Sequence, residues 1–241
     1  MIAAENLAKR FGSKTAVDAL NLEVPAGEFF CFLGPNGAGK TTTIKMLTGL
    51  LQPSGGRASI GGHDIQIEPL EAKRLIGYIP DHPFLYEKLT GREFMHFVAG
   101  LYRMSNGVAR KSDELLHLFE IGGVADQLIE DYSHGMRQKL SFASCFLHDP
   151  RVVIVDEPWV GLDPKNIRFV KDYLRQKTRE GLTVFMSTHT LSIAEEVADR
   201  IGIIHCGKLL HVGSVSDIKA LASQAGTLED VFLELTQESG A

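Results

Sequence analysis

The stretch Gly34–Thr42 constrains the fold more than any other part of the sequence. It fits the phosphate-binding pattern G-x-x-x-x-G-K-[ST]. A short apolar run at 29–33 precedes it and predicts a buried strand. After it, apolar residues at 44, 47, 50 and 51 recur at helical spacing. The sequence therefore predicts a strand, a phosphate-binding loop and a helix in direct succession.

The residue types in this loop suit the binding of a polyphosphate. Glycine adopts positive φ without strain, so Gly34, Gly37 and Gly39 let backbone N–H groups approach an anion closely. Those N–H groups and the start of the following helix form an anion-binding cup. Lys40 supplies a charge for the β- and γ-phosphates, and the hydroxyl of Thr41 is a candidate Mg²⁺ ligand. The candidate nucleotide-binding residues of the loop are Asn36, Gly37, Gly39, Lys40, Thr41 and Thr42.

The order of apolar segments predicts an α/β fold with inserted and appended parts. From 151 to 206, strand-like and helix-like segments alternate, which predicts a mostly parallel sheet with helices on both faces. Residues 2–11 and 15–24 read instead as strands of an N-terminal antiparallel sheet. Residues 81–148 carry helical patterns and predict a helical subdomain inserted into the α/β core.

Composition excludes several classes of protein. The chain has 241 residues and a formal net charge of −5, so a general nucleic-acid-binding role is not favoured. No apolar run is long enough to span a bilayer, and the N-terminus lacks an apolar signal core. Three cysteines without a C-x-x-C pair favour a reducing compartment. We therefore expect a cytoplasmic location, with any membrane role exerted through a partner.

Two carboxylates follow a second buried strand. Val152–Val155 is apolar, and Asp156 and Glu157 come immediately after it. The carboxyl ends of parallel strands are where α/β proteins bind ligands. Phosphoryl transfer needs a carboxylate near Mg²⁺ and a group that activates or orients water. Asp156 suits the metal role, and Glu157 suits the role of general base.

Together these motifs identify a family resemblance that covers nearly the whole chain. The sequence resembles the ATP-binding subunit of an ABC transporter, with Gly34–Thr42 as the Walker A loop and Val152–Asp156 as Walker B. The family signature corresponds to Tyr132–Met136, the D-loop to Gly161–Asp163, and the switch histidine to His189. The resemblance implies a P-loop NTPase core with a mostly parallel sheet and makes residues 1–241 a single ABC ATP-binding domain.

The resemblance also implies ligands and partners. In the family, a serine and a glycine at the positions of Ser133 and Gly135 cap the γ-phosphate held by the opposite subunit. Two ATP molecules then lie between two chains, in a homodimer or a heterodimer. A histidine at the position of His189 contacts the γ-phosphate, and ATP and Mg²⁺ are the expected cofactors. The helical insert contacts the permease, which we expect to be a separate chain at the inner face of the cell membrane.

Two candidate site residues keep alternative interpretations. Asp81 stands where the family has a glutamine that touches Mg²⁺ and senses the permease, and it is also compatible with a simple turn after Pro80. Phe11 suits stacking on a nucleotide base and equally suits packing on a strand. The substitution at 81 leaves the metal contact and the coupling role of that loop open.

The form of the signature and the segment Thr227–Leu235 are similar to those of export-type members, so ATP-driven export is the leading hypothesis. An alternative is an ABC-type ATPase that acts on a ribosome or DNA, but such proteins usually carry two cassettes or long coiled-coil inserts. A regulatory module that binds ATP without turnover is a third possibility. The presence of both Glu157 and His189 argues against it.

Overall fold

The computed structural model describes residues 1–159, 161–220, 227–230 and 232. Its strands are β1 (Ile2–Phe11), β2 (Lys14–Val24), β3 (Phe29–Leu33), β4 (Gly55–Ile60), β5 (His63–Asp64), β6 (Ile76–Ile79), β7 (Val152–Asp156), β8 (Thr183–Thr188), β9 (Arg200–His205) and β10 (Lys208–Gly213). Its helices are α1 (Lys40–Leu47), α2 (Pro69–Arg74), α3 (Gly91–Leu101), α4 (Val108–Leu118), α5 (His134–Cys145), α6 (Pro164–Arg179), α7 (Leu191–Val197) and α8 (Val215–Lys219).

The main sheet has six strands in the order β10-β9-β3-β8-β7-β6, and only β10 runs antiparallel to its neighbour. All five residues of β3 and of β7 are buried. Strands of a parallel sheet are covered on both faces, which explains why these segments are continuous apolar runs rather than alternating ones. The predicted α/β fold with a mostly parallel sheet is confirmed.

The second sheet is entirely antiparallel, in the order β2-β1-β4-β5. Its apolar residues share a buried cluster with α1 and with one face of the main sheet. In that cluster, Phe30 of β3 stacks against Phe185 of β8, and the ring of Phe32 contacts Phe185 at a tilt of 42°. This packing fixes α1 between the two sheets, and therefore fixes the loop that precedes α1.

The opposite face of the main sheet carries the larger buried cluster, which extends into the helical insert. Helix α3 begins at a reciprocal cap, in which Thr90 accepts from the amide of Glu93 and the Glu93 carboxylate accepts from the amide of Thr90. Phe119 lies at the centre of an aromatic group that contacts Phe142 and Phe146. The helices predicted between 81 and 148 are present as α3, α4 and α5.

Helix α1 begins three residues earlier than the periodicity of the apolar residues suggests. Gly39, in a left-handed conformation with φ 112°, ends the loop, and Lys40 is already helical. Sequence periodicity detects only the buried face of a helix, and the first turn here faces the cavity described below. The candidate site residues Lys40 and Thr41 are therefore part of the helix N-terminus.

The predicted helix Thr227–Leu235 lies only partly within the described residues, which exclude 231 and 233–235. Where it is described, the expected cap is present: Asp230 accepts from the Thr227 amide, and Thr227 accepts from the Asp230 amide. These hydrogen bonds, first of all the one from the Thr227 amide, lower the pKa of Asp230. Leu228 is buried in the larger cluster. In the described residues, no helix combines the length and apolarity required to cross a bilayer.

Candidate nucleotide site

A cavity of about 650 Å³ lies at the carboxyl ends of the central parallel strands. Strands β3, β8 and β7 are consecutive neighbours in the sheet, so the loops that follow them converge at one edge. These loops contribute Lys40, His189 and Glu157, respectively. The predicted site residues that line this cavity are Phe11, Asn36, Gly37, Gly39, Lys40, Thr41, Thr42, Asp81, Glu157 and His189.

The glycines of the phosphate-binding loop are required by its backbone. Gly37 and Gly39 have φ values of 80° and 112°, which side chains disfavour. A Cβ atom at Gly39 would also lie 2.6 Å from the carbonyl oxygen of Ala16. The loop therefore keeps a compact shape in which successive N–H groups and the start of α1 form an anion-binding site.

Lys40 is held inside this loop although it carries a charge. Its side chain is only 6% exposed, and Nζ donates to the carbonyl oxygens of Gly34 at 2.8 Å and Pro35 at 3.2 Å. Nζ also lies 3.4 Å from Glu157 Oε1. A buried ammonium is stable only when such oxygens surround it. A bound phosphate would offer the same ammonium a stronger set of charged acceptors.

The two carboxylates at the carboxyl end of β7, Asp156 and Glu157, occupy different environments. Asp156 is fully buried and does not line the cavity; its Oδ1 accepts a hydrogen bond from Ser187 Oγ. Its Oδ2 is buried and has no hydrogen-bond partner in the described part of the chain. Glu157 lines the cavity, so only the second carboxylate faces the space where a nucleotide would bind.

Glu157 is held in an uncommon backbone conformation. Its φ is +46°, in the left-handed region that residues other than glycine rarely adopt. The Glu157 amide donates to the carbonyl oxygen and to Oγ of Ser187, each at 3.3 Å. Glu157 Oε1 also lies 2.9 Å from His189 Nδ1. The predicted general base and the predicted switch histidine are therefore direct neighbours.

Asp81 follows β6 and reaches the same cavity. Its Oδ1 accepts from the amide of His82 at 2.9 Å, and its Oδ2 lies 3.1 Å from His82 Nδ1. Burial, followed by the charges of Asp156 and Asp81, raises the pKa of Tyr78 on β6. The backbone contact is that of a turn residue, whereas the cavity position is that of a ligand-contacting residue.

Phe11 forms part of the outer wall of the cavity. Its side chain is 51% exposed, and Lys9 Nζ lies 5.2 Å from the centre of its ring. An aromatic ring that is half exposed at a cavity rim does not contribute a packed strand contact of the usual kind. The ring of Phe11 is therefore accessible to a molecule in the cavity.

Several residues near the cavity had no role in the sequence-based prediction. Lys14, Ala16 and Cys206 complete the wall beside Phe11, and Ser187 bonds to both acidic residues. No motif marks Lys14, Ala16 or Cys206, because these residues reach the site through the pairing of distant strands, whereas Ser187 begins the segment Ser187–His189 that resembles the switch histidine segment. A serine two positions before the switch histidine is the one signal that the sequence offered.

The signature segment lies away from this cavity. Ser133 caps α5 by accepting from the amide of Met136, and neither Ser133 nor Gly135 lines the cavity. Ser133 is exposed, so its helix N-terminus is available to another molecule. The described chain brings together the loop, the carboxylates and His189, but not the signature residues.

The signature helix nevertheless contacts the loop that follows Glu157. The ring of His134 lies against Gly161. A Cβ atom added at Gly161 would lie 1.8 Å from Cδ2 of His134, so no side chain fits at this position. Gln138 is fully buried, and its Nε2 donates to the carbonyl oxygen of Pro158 at 3.2 Å. Sequence patterns did not predict this contact, which connects α5 with the catalytic edge of the same chain.

Comparison with known proteins agrees with this geometry. The profile of the family described as ABC transporter matches residues 17–160. The chain belongs to the ABC transporter family. It is the ATP-binding and ATP-hydrolysing component of that family, as the sequence predicted, and the alternative of an ATPase that acts on a ribosome or DNA is not favoured.

Two relatives from Bacillus subtilis illustrate the similarity of this ABC protein to curated ones. The uncharacterized ABC transporter ATP-binding protein YhcH is 42% identical over 219 residues, which cover 90% of this chain and 71% of the relative. The linearmycin resistance ATP-binding protein LnrL is 36% identical over 237 residues, which cover 98% of this chain and 75% of the relative.

Solved structures agree on the fold. A structure described as the ATP-binding subunit of an ABC transporter aligns with a TM-score of 0.91 and 31% identity, covering 98% of this chain and 99% of that one. A dimeric, post-hydrolysis cassette, MJ0796 bound to ADP and Pi, aligns with a TM-score of 0.82 and 24% identity. The alignment covers 89% of this chain and 98% of the MJ0796 chain.

Proposed function

We propose that this ABC ATPase drives export of a substrate through a separate membrane permease, with two chains closing over two ATP molecules. The observation that carries the proposal is the shared cavity of Lys40, Glu157 and His189. It holds a phosphate-binding loop and a candidate base, but lacks the serine and glycine that cap the γ-phosphate in the family. A second chain would supply Ser133 and Gly135 head to tail, and MJ0796 is a dimeric relative of the same fold.

Mg²⁺ is the cofactor that the oxygen donors of the site fit. Asp156 offers Oδ2, a buried carboxylate oxygen without a hydrogen-bond partner, and Thr41 offers a hydroxyl at the cavity. Mg²⁺ prefers such oxygen ligands and keeps several waters and nucleotide phosphate oxygens in its shell. Asp156 and Thr41 would hold the ion, and Asp81 is a further candidate contact.

In the proposed reaction, the ion would neutralise charge on the phosphates, and the chain's own groups would do the rest. The backbone of the loop and Lys40 bind and orient the β- and γ-phosphates. Glu157, which lines the cavity, would accept a proton from the attacking water through its carboxylate. His189, 2.9 Å from Glu157 Oε1, holds the carboxylate in place and contacts the γ-phosphate.

Export is supported by what several relatives are named for. The relative LnrL is a linearmycin resistance protein, and a Streptomyces peucetius relative is named for resistance to daunorubicin and doxorubicin. Resistance to an antibiotic is commonly achieved by moving it out of the cell. We therefore propose that this chain acts at the inner face of the cell membrane, where the permease determines the substrate.

The helical insert at 81–148 is the proposed contact surface for the permease. Its exposed large apolar side chains include Phe84, Tyr86 and Phe97, and the rings of Tyr86 and Phe97 meet edge to face. Exposed apolar groups of this kind mark protein–protein contact sites. The segment that carries Phe84 follows Asp81 directly, so permease contact and the nucleotide cavity are adjacent along the chain.

The test is reconstitution of this chain with a candidate permease in inverted membrane vesicles. ATP-dependent uptake of an amphipathic antibiotic into the vesicles is expected with the wild-type chain and not with the Glu157→Gln variant. Uptake that is equal for the two variants would contradict the proposal. ATPase activity without any permease-dependent stimulation would favour a non-transport role instead.

A further inference from the structure

Ser187 connects the two acidic residues of the site through one hydroxyl group. Strands β7 and β8 are paired in parallel, with Asp156 in register with Ser187. Both residues are fully buried, and Ser187 Oγ donates to Asp156 Oδ1. The same oxygen accepts from the amide of Glu157 at 3.3 Å. We propose that Ser187 is a positioning residue that fixes Asp156 for the metal and Glu157 for the attacking water.

The contact with Asp156 determines which carboxylate oxygen is available. Burying a carboxylate without hydrogen-bond donors is costly, so the hydrogen bond from Ser187 offsets part of the cost of burying Asp156. Because Oδ1 is committed to Ser187, Oδ2 is the oxygen left without a partner. Ser187 thereby sets the rotation of the carboxylate and the oxygen that is offered to an ion.

The contact with Glu157 acts on the backbone. Glu157 is in the left-handed region at φ +46°, a conformation that persists only when surrounding groups hold it. Its amide is directed at Ser187, where both the carbonyl oxygen and Oγ accept. Losing Oγ removes one of these two acceptors and leaves the carbonyl oxygen alone to hold the turn that carries the Glu157 carboxylate.

The chemistry explains why a serine stands here. A hydroxyl donates one hydrogen bond and accepts others at the same time, which the carboxylate and the amide together require. Alanine offers neither function, and cysteine offers only a weak donor and acceptor. Threonine keeps the hydroxyl but adds a methyl group in a closely packed strand. We therefore expect threonine to restore more of the function than cysteine, and alanine to restore none.

This proposal rests on the proposed role of Asp156 as a ligand of Mg²⁺. The experiment is therefore chosen to test the positioning role of Ser187 separately from the metal role of Asp156. Binding of a fluorescent ATP analogue is measured with Mg²⁺ and with EDTA, and kcat and KM for ATP hydrolysis are measured in parallel. In Ser187→Ala, affinity with Mg²⁺ should fall by about tenfold, the size expected for a hydrogen bond to a charged group. Affinity in EDTA should not change, and kcat should fall by about tenfold or more.

The matched control is Thr183→Val on the same strand. Thr183 is also fully buried and its hydroxyl accepts from the amide of Gly27, far from the cavity along β8. This variant should lower the melting temperature without changing the ratio of the two affinities. Ser187→Thr should recover most of the Mg²⁺-dependent affinity and of kcat.

Three results would overturn the positioning role. These are equal losses of affinity with and without Mg²⁺ in Ser187→Ala, an unchanged kcat, or the same pattern of changes in Thr183→Val. If Ser187→Ala does not fold, Ser187→Cys is compared with Ser187→Thr: equal Mg²⁺-dependent affinities in these two variants would also overturn it. A wild-type chain whose ATP affinity and hydrolysis do not depend on Mg²⁺ would instead contradict the proposed metal role of Asp156.

Discussion

Lys40 Nζ and Glu157 Oε1 lie 3.4 Å apart in the wall of the nucleotide cavity. The lysine comes from the loop after β3 and the glutamate from the loop after β7, with β8 between these strands in the sheet. Both residues line the cavity, so the candidate phosphate-binding group and the candidate base face the same space. A γ-phosphate that binds to Lys40 would therefore be delivered next to the carboxylate that has to act on water.

Replacing Glu157 by glutamine should separate binding from turnover. The amide keeps the shape of the side chain but cannot take a proton, so hydrolysis should fall by about 10²–10⁴-fold, the contribution of a general base. ATP binding should remain within a few-fold, and a stable dimer should accumulate with ATP. Steady-state ATPase assays and size-exclusion chromatography measure these effects. Glu180→Gln, an exposed carboxylate bonded to Lys177, is the control. Wild-type turnover in Glu157→Gln would remove Glu157 from the mechanism.

Replacing Asp81 by glutamine should act on Mg²⁺ dependence and coupling. A carboxylate beside the phosphates adds negative charge, which the neutral amide does not. We expect Asp81→Gln to change the Mg²⁺ requirement or the permease-stimulated ATPase rate more than the basal affinity for ATP. Asp81→Asn, which keeps the short side chain of a turn residue, is the comparison. If affinity, Mg²⁺ dependence and stimulation are all unchanged in the reconstituted complex, Asp81 is only a turn residue.

Phe11 tests whether the outer wall of the cavity binds the base. Its half-exposed ring lines the cavity with Lys14 and Cys206. Stacking of a base on an aromatic ring contributes about 1–3 kcal/mol, so Phe11→Ala should weaken ATP binding by about tenfold. Phe11→Trp should keep or increase the affinity, and Phe97→Ala, an exposed ring outside the cavity, should leave it unchanged. Fluorescence titration with ATP measures all three, and an unchanged affinity in Phe11→Ala would assign Phe11 to the strand alone.

His148 gives the fold a pH dependence that is independent of the site. Its ring stacks on Tyr102 at 3.6 Å, and Nε2 lies 3.0 Å from the carbonyl oxygen of Ile76. Burial lowers the pKa of His148 from 6.5 to about 4. The folded protein therefore holds the neutral ring, and its contribution to stability is present above pH 6.5 and lost as the pH falls toward 4.

The loss over this range should be on the order of 2 kcal/mol after allowance for partial exposure of the ring. Urea denaturation at pH 7, 5.5 and 4.5 measures it, with His148→Gln as the comparison because glutamine can still donate to Ile76. Other groups titrate in the same range, so the decisive quantity is the difference between the two proteins. Equal slopes of stability against pH in the wild type and in His148→Gln would contradict the assignment.

The sequence predicted those parts of the site that are formed by consecutive residues. Gly34–Thr42 and Asp156–Glu157 each lie in a few consecutive residues, and their apolar flanks predict the strands that carry them. The contact between Ser187 and Asp156 spans 31 positions and depends on the parallel register of β7 with β8. Short patterns do not encode register between distant strands, so this contact and the left-handed Glu157 became visible only in the structure.

The contact of Gln138 with Pro158 is a further case that periodicity did not reveal. Gln138 lies on the buried face of α5, where the pattern of apolar residues carries no information about a polar partner. The contact connects the signature helix with the residue after Glu157. If a second chain binds the signature at the start of α5, this contact would connect that binding event with Glu157, the candidate base of the same chain as α5.

The head-to-tail arrangement is tested most directly by mixing two defective variants. Lys40→Ala has a defective phosphate-binding loop and an intact signature. Ser133→Asp keeps a good helix cap, because aspartate replaces serine well at this position, but sets a negative charge against the γ-phosphate. Both are made in the Glu157→Gln background, and retention of labelled ATP after rapid gel filtration is measured.

If each site is built from the loop of one chain and the signature of the other, a mixed pair contains one intact site. The mixture should then retain ATP, at about one molecule per pair, whereas neither variant retains it alone. Retention by the mixture that does not exceed the sum of the separate variants would contradict the two-chain site.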